Sequence, residues 1–92
     1  MSKVNLNAES LLGSRGRIRV LRVLTESREL NISEIGRRAG MNYTSVERHL
    51  EALTEMGLLN EKRYGKIRIF ETNFDRLVVS FDRNKGVHVE LV

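Results

Sequence analysis

The chain has 92 residues with 16 Lys and Arg against 12 Asp and Glu, a formal charge of +4, and it contains no Cys, Pro or Trp. That length allows one small hydrophobic core, and the missing cysteines exclude a disulfide framework, thiolate metal sites and Cys nucleophiles. About 40% hydrophobic residues is enough to fold. Twelve of the sixteen cations are Arg, whose planar fork suits phosphate, and the modest positive balance permits a nucleic-acid partner without requiring one. No run approaches the ~18 apolar residues of a membrane span. The opening Met1-Ser2-Lys3-Val4-Asn5-Leu6 lacks the apolar stretch of a secretory signal. A soluble, cytoplasmic protein is expected.

In chain order, the first strong pattern is Ile18-Arg19-Val20-Leu21-Arg22-Val23-Leu24. Its helical spacing predicts a basic amphipathic helix capped by Ser14 and fading near Ser27-Arg28. Leu30-Asn31-Ile32 alternates and predicts a strand stub. Ser33 is then expected to cap a very short helix through Glu34 to Ala39, with Ile35 and Ala39 on its buried face and Gly40 as its stop. A third helix is expected from about Tyr43 to Met56, with Asn42 as its cap in preference to Thr44. Val46, Leu50 and Leu53 form its buried stripe, and Gly57 ends it.

Beyond Gly57 the period changes from helical to alternating. Leu58–Arg63 and Lys66–Glu71 flank Tyr64-Gly65 and predict a β-hairpin with a basic tip. Two readings stay open for the C-terminal segment. Phe74, Leu77, Val78 and Phe81 have helical spacing and predict a fourth helix capped by Asn73. Leu77, Val79 and Phe81 also alternate, which predicts a second hairpin turning at Asn84-Lys85-Gly86. The expected fold is therefore α+β: a winged helix-turn-helix of three helices and a hairpin wing over residues 14–72. Residues 1–13 precede it as an extension, and residues 73–92 form a segment for dimerisation or packing. Gly36 supplies the small residue needed where the two crossed helices touch.

The stretch from Ser14 to Phe70 resembles the ArsR-like winged-helix transcription regulators of archaea and bacteria, a grouping that borders on MarR-like proteins. The residues carrying the likeness are Arg17-Ile18-Arg19-Val20-Leu21-Arg22-Val23-Leu24, Ile32-Ser33-Glu34-Ile35, Ser45 through Leu53, and Gly57-Leu58-Leu59. The resemblance implies a homodimer that binds operator-like double-stranded DNA with its third helix in the major groove. Metal-sensing relatives use Cys-containing sites that this chain lacks, so no metal and no cofactor are expected. An effector pocket would have to lie between subunits.

Recognition helices read bases from their first turns, so Asn42, Tyr43, Thr44, Ser45 and Arg48 are the expected base-reading residues, with Glu47 at the margin. Arg48 has a plainer alternative as a partner of Glu51 or Glu55 on its own helix, and Tyr43 has one as a hydrophobic staple. Arg37, Arg38, Lys62, Arg63, Tyr64, Lys66 and Arg68 are expected on the DNA backbone, facing only Glu34 and Glu61. Arg17, Arg19 and Arg22 are expected to be surface or intramolecular salt-bridge residues. His49 is expected to be a packed or hydrogen-bonded structural histidine. Leu6, Leu11, Leu77, Val78 and Phe81 are expected at a dimer interface, because apolar stripes outside a small core usually mark one.

No phosphate loop, metalloprotease motif or nucleophile–His pair is present, so no enzyme is expected. Sequence-specific DNA binding as a transcriptional regulator is the leading function. The alternatives are a winged-helix protein–protein assembly module and a nonspecific nucleic-acid binder. Convergence of the basic residues on one surface would favour DNA; neutralisation of that surface by Glu34, Glu47 and Glu51 would favour assembly.

Overall fold

The computed structural model describes residues 7–92. A short helix α1 (Ala8–Leu12) leads into the expected winged unit. That unit consists of α2 (Arg15–Thr25), β1 (Leu30–Asn31), α3 (Ile32–Ala39), α4 (Tyr43–Glu55) and the wing strands β2 (Leu59–Tyr64) and β3 (Ile67–Thr72). A second hairpin of β4 (Leu77–Asp82) and β5 (Gly86–Leu91) comes after it.

Each helix starts where a side-chain oxygen takes up a free backbone N–H. Ser14 Oγ accepts from Arg17 N at 3.2 Å, and Asn42 Oδ1 accepts from Ser45 N at 2.9 Å. Ser33 does not cap α3. Asn31 does, accepting from Glu34 N at 2.8 Å, so the helix begins one residue before Ser33. This start brings Ile32, Ile35 and Ala39 onto one buried face. At the end of α4, Leu58 N donates to Leu53 O at 3.1 Å and Gly57 N to Thr54 O at 3.0 Å. Gly57 holds φ +84° there, which closes the helix in a Schellman arrangement.

The wing is an antiparallel hairpin whose last pair, Tyr64 with Ile67, leaves Gly65-Lys66 as the two-residue turn. Strand β1 adds to its other side, pairing Leu30 with Phe70 and Asn31 with Ile69. The order β1-β3-β2 ties the start of α3 to the wing. Leu24, Ile35, Leu50, Leu53, Leu58 and Phe70 sit at the centre of the core, fully enclosed.

The C-terminal segment is a hairpin and not a fourth helix. Leu77 pairs with Leu91 and Val79 with Val89. Asp82 Oδ1 accepts from Asn84 N and Lys85 N, both at 2.8 Å, and the turn closes on Gly86 at φ +78°. The adjacent β-branched Val78 and Val79 suit a pleated strand better than a helix. Asn73, expected as a helix cap, instead donates from Nδ2 to Gly57 O at 2.6 Å.

Leu11, expected at a dimer interface, is 1% exposed and lies inside the core of its own chain. Helix α1 lays it there, because Asn7 caps that helix through Ser10 N at 3.1 Å. Leu77 packs partly against the same core, and Val78 is half-buried. Phe81 is 74% exposed. Leu6 lies outside the described residues. No helix among the described residues is long and apolar enough to cross a membrane.

Candidate nucleic-acid interface

Helices α3 and α4 meet around the turn Gly40-Met41-Asn42, which Gly40 makes possible at φ +67°. The turn leaves the first residues of α4 facing outward. Asn42, Tyr43, Thr44 and Arg48 are exposed, and Ser45 and Glu47 are half-buried. The Asn42 side chain is engaged as the helix cap. No carboxylate lies within ion-pair distance of Arg48 among the described residues, so its guanidinium is not held by Glu51 or Glu55.

A cleft of about 170 Å³ joins three of these elements. Asn31, Ile32 and Ser33 at the start of α3, Tyr43 at the start of α4, and Lys66, Ile67 and Arg68 of the wing line it. Ser33 is an addition to the expected site, because its hydroxyl is free of the capping role that the sequence suggests. The signal that places it is the Asn31-x-x-Glu34 spacing, which moves the cap and leaves Ser33 exposed. Lys66, at the wing tip, also has no carboxylate partner among the described residues.

The other basic residues expected on the DNA backbone are engaged within the chain. Arg37 and Arg38 both bond Glu34, Arg38 Nε at 2.8 Å. Hydrogen bonds from Arg37 and then Arg38 hold the Glu34 carboxyl down to a pKa of about 2. Lys62 Nζ lies 2.5 Å from Glu29 Oε1 and 3.4 Å from Glu71 Oε1. Arg63 Nε lies 3.2 Å from Glu61 Oε2. Arg68 bridges Glu61 and Glu47. The wing therefore faces Glu29, Glu47 and Glu71 as well as Glu61, and its positive surplus is smaller than a count along the sequence gives. Tyr64 stands 61% exposed beside the wing tip.

Of the α2 cations, Arg19 and Arg22 are exposed at the surface and Arg17 is half-buried. Arg19 and Arg22 have no carboxylate partner among the described residues. Arg19 Nη1 instead donates to Ala39 O at 3.3 Å, and Arg17 Nη1 to Ser10 O at 2.7 Å. His49 is packed against Gly16, and its buried Nδ1 has no hydrogen-bond partner. Among the described residues no three His, Cys, Asp or Glu side chains gather as a metal site would require.

This geometry has counterparts in solved structures. A possible transcriptional regulatory protein from Mycobacterium bovis (fragment 1–100) matches with a TM-score of 0.61 and 27% identity, covering 67% of this chain and 66% of that one. The chain thus spans about two thirds of that fragment. The DNA-binding domain of the repressor BlaI matches in fold with a TM-score of 0.61 at 19% identity, covering 82% of this chain and 89% of that domain. No curated protein sequence matches the chain. The family model described as bacterial regulatory protein, arsR family, matches residues 14–61. That span takes in the capped α2, the α3–α4 turn and the first half of β2, more than half of the chain, and the protein belongs to the arsR family of regulatory proteins.

Proposed function

We propose that this arsR-family protein is a transcriptional regulator that binds double-stranded DNA sequence-specifically, with α4 in the major groove and the wing on the backbone or in the adjacent minor groove. The observation that carries this reading is the outward-facing first turn of α4, with Tyr43, Thr44 and Arg48, set beside Lys66 of the wing tip, both cations without a carboxylate partner among the described residues. Arg48 reads a base edge, because a guanidinium can donate two parallel bonds to guanine O6 and N7. Lys66 and Tyr64 meet phosphates or sugar, fixing register without reading sequence. Arg37 and Arg38 reach phosphate by exchanging Glu34 for it.

The protein acts as a cytoplasmic homodimer. In support, a groove of about 830 Å³ runs between α1 and the second hairpin, lined by Leu12, Phe81, Val87 and Val89 among others. Leu12, Phe81 and Val87 are 48%, 74% and 50% exposed. A two-stranded hairpin is marginal in water on its own, so a second copy seated on this face would stabilise both. Two copies would then read half-sites about 34–36 Å apart. Sedimentation tests this: Phe81→Asp should convert a dimer to a monomer, and a wild-type monomer at working concentration contradicts the dimer.

Selection of bound sequences from random duplexes, combined with salt titration, tests the function. One enriched, two-fold related sequence is expected. Binding without enrichment would assign the protein to nonspecific nucleic-acid binding. No binding to any duplex at low salt would favour an assembly module, the reading that the pairing of Arg37 and Arg38 with Glu34 supports.

A further inference from the structure

Arg68 sits on the wing, yet each of its three nitrogens already donates to a carboxylate. Its Nε donates to Glu61 Oε2 at 2.7 Å and its Nη2 to Glu61 Oε1 at 3.2 Å. Its Nη1 donates to Glu47 Oε2 at 3.0 Å. Glu61 belongs to β2 and Glu47 to α4, so one guanidinium joins both wing strands to the helix that carries Arg48. The fork geometry of Arg is what allows two carboxylates to be held at once, one of them through two parallel bonds. The guanidinium also lies over the Phe70 ring, 5.3 Å from its centroid, and Phe70 is a core residue 1% exposed. The Arg68 side chain is itself only 21% exposed. Charge argues the same way. A phosphate approaching Arg68 meets two carboxylates on one cation, and it gains little from a cation already neutralised.

Resting on the regulator reading, we propose that Arg68 is a positioning residue for DNA recognition: with Glu47 and Glu61 it braces the wing against α4 and sets the angle between the two elements that meet the duplex. Glu47 then acts through Arg68 and not on a base. A duplex rewards only the one relative placement that fits its grooves, so loss of the brace costs specific binding more than nonspecific binding. Because the brace neutralises no phosphate, its loss leaves the salt dependence of binding unchanged.

The test compares Arg68→Gln, Glu47→Gln, the double variant and Arg68→Lys, each checked for folding by thermal unfolding. Binding to the selected duplex and to a scrambled one is measured across salt concentrations. Either Gln variant should lower the specific-to-nonspecific ratio by about tenfold, and the double variant by no more than either alone. Arg68→Lys keeps the charge without the fork and should not restore the ratio. In the free protein, ¹⁵N relaxation of the wing amides should report larger motion in both Gln variants. The brace is overturned if Arg68→Gln lowers the salt slope by about one while Glu47→Gln changes nothing, the signature of a phosphate contact. Unaltered wing relaxation in folded Glu47→Gln overturns it too. Should the wild-type protein select no duplex, the regulator reading fails, and wing relaxation decides the brace independently.

Discussion

Gly36 approaches the backbone of Met41 so closely that a Cβ on it would lie 2.8 Å from the Met41 carbonyl oxygen. Met41 N in turn donates to Gly36 O at 2.9 Å. The crossing of α3 and α4 therefore depends on a missing side chain, and the obstructing atom is backbone, which has little room to yield. On helix propensity alone, Gly36→Ala should stabilise α3 by about 1 kcal/mol. Overpacking a close contact costs about 1–3 kcal/mol and should prevail. Urea unfolding is expected to show a lower midpoint for Gly36→Ala; a higher midpoint would mean that the helices can part without loss.

Two neighbouring leucines of α1 should separate just as clearly. Leu11 is 1% exposed and Leu12 48% exposed. Truncating a buried Leu leaves a cavity and costs about 2–5 kcal/mol. At concentrations low enough for the chain to be monomeric, Leu11→Ala should therefore lower the unfolding midpoint strongly and Leu12→Ala only slightly. Equal, small effects would show that α1 is not part of the folding unit.

His49 carries a pH dependence of definite sign. Burial, and then the nearby Arg17 and Arg48 cations, disfavour its charged form and lower its pKa from the ordinary 6.5. Between the lowered value and 6.5 the unfolded chain binds more protons than the native one, so stability rises with pH there. The contribution is complete above about 6.5 and fades as the solution is acidified toward the native pKa. An NMR titration of the His49 ring should find a midpoint below 6.5, and His49→Gln should flatten the stability profile in the same window. A midpoint above 6.5 would contradict the packing of the ring against Gly16.

Helix periodicity, caps and glycine stops make α2, α3, α4 and the wing legible in the sequence, because each arises from local chemistry: Ser14 and Asn42 as caps, Gly40 and Gly57 as stops. The cap of α3 lies two residues before its expected place because Ser33 and Asn31 both offer an oxygen, and burial of Ile32 decides between them. The second hairpin is ambiguous in the sequence because Leu77 and Phe81 satisfy both periods; the Asp82 turn with Gly86 resolves it. Least legible are the ion pairs. Lys62 reaches Glu29 across 33 positions and Arg68 reaches Glu47 across 21, separations at which no local pattern exists. The burial of Leu11 is hidden in part for the same reason, since α1 packs on the distant β5 as well as on the neighbouring α2.

Those long-range pairs also rank the cations for binding. Arg48 and Lys66 have no carboxylate partner among the described residues, whereas Lys62 has two. Arg48→Ala should relax the preference at one base position, a loss of about 1–3 kcal/mol against the selected duplex. Lys66→Ala should weaken all duplexes alike and lower the salt slope by about one. Lys62→Ala should lower it less, because Glu29 and Glu71 already stand where a phosphate would. Competition assays on matched and mismatched duplexes across a salt series measure all three. Equal, sequence-independent losses from Arg48→Ala and Lys66→Ala would remove Arg48 from the reading group. A full unit of slope lost with Lys62→Ala would instead mean that its ion pairs open on binding, so that the wing presents more charge to DNA than its resting geometry suggests.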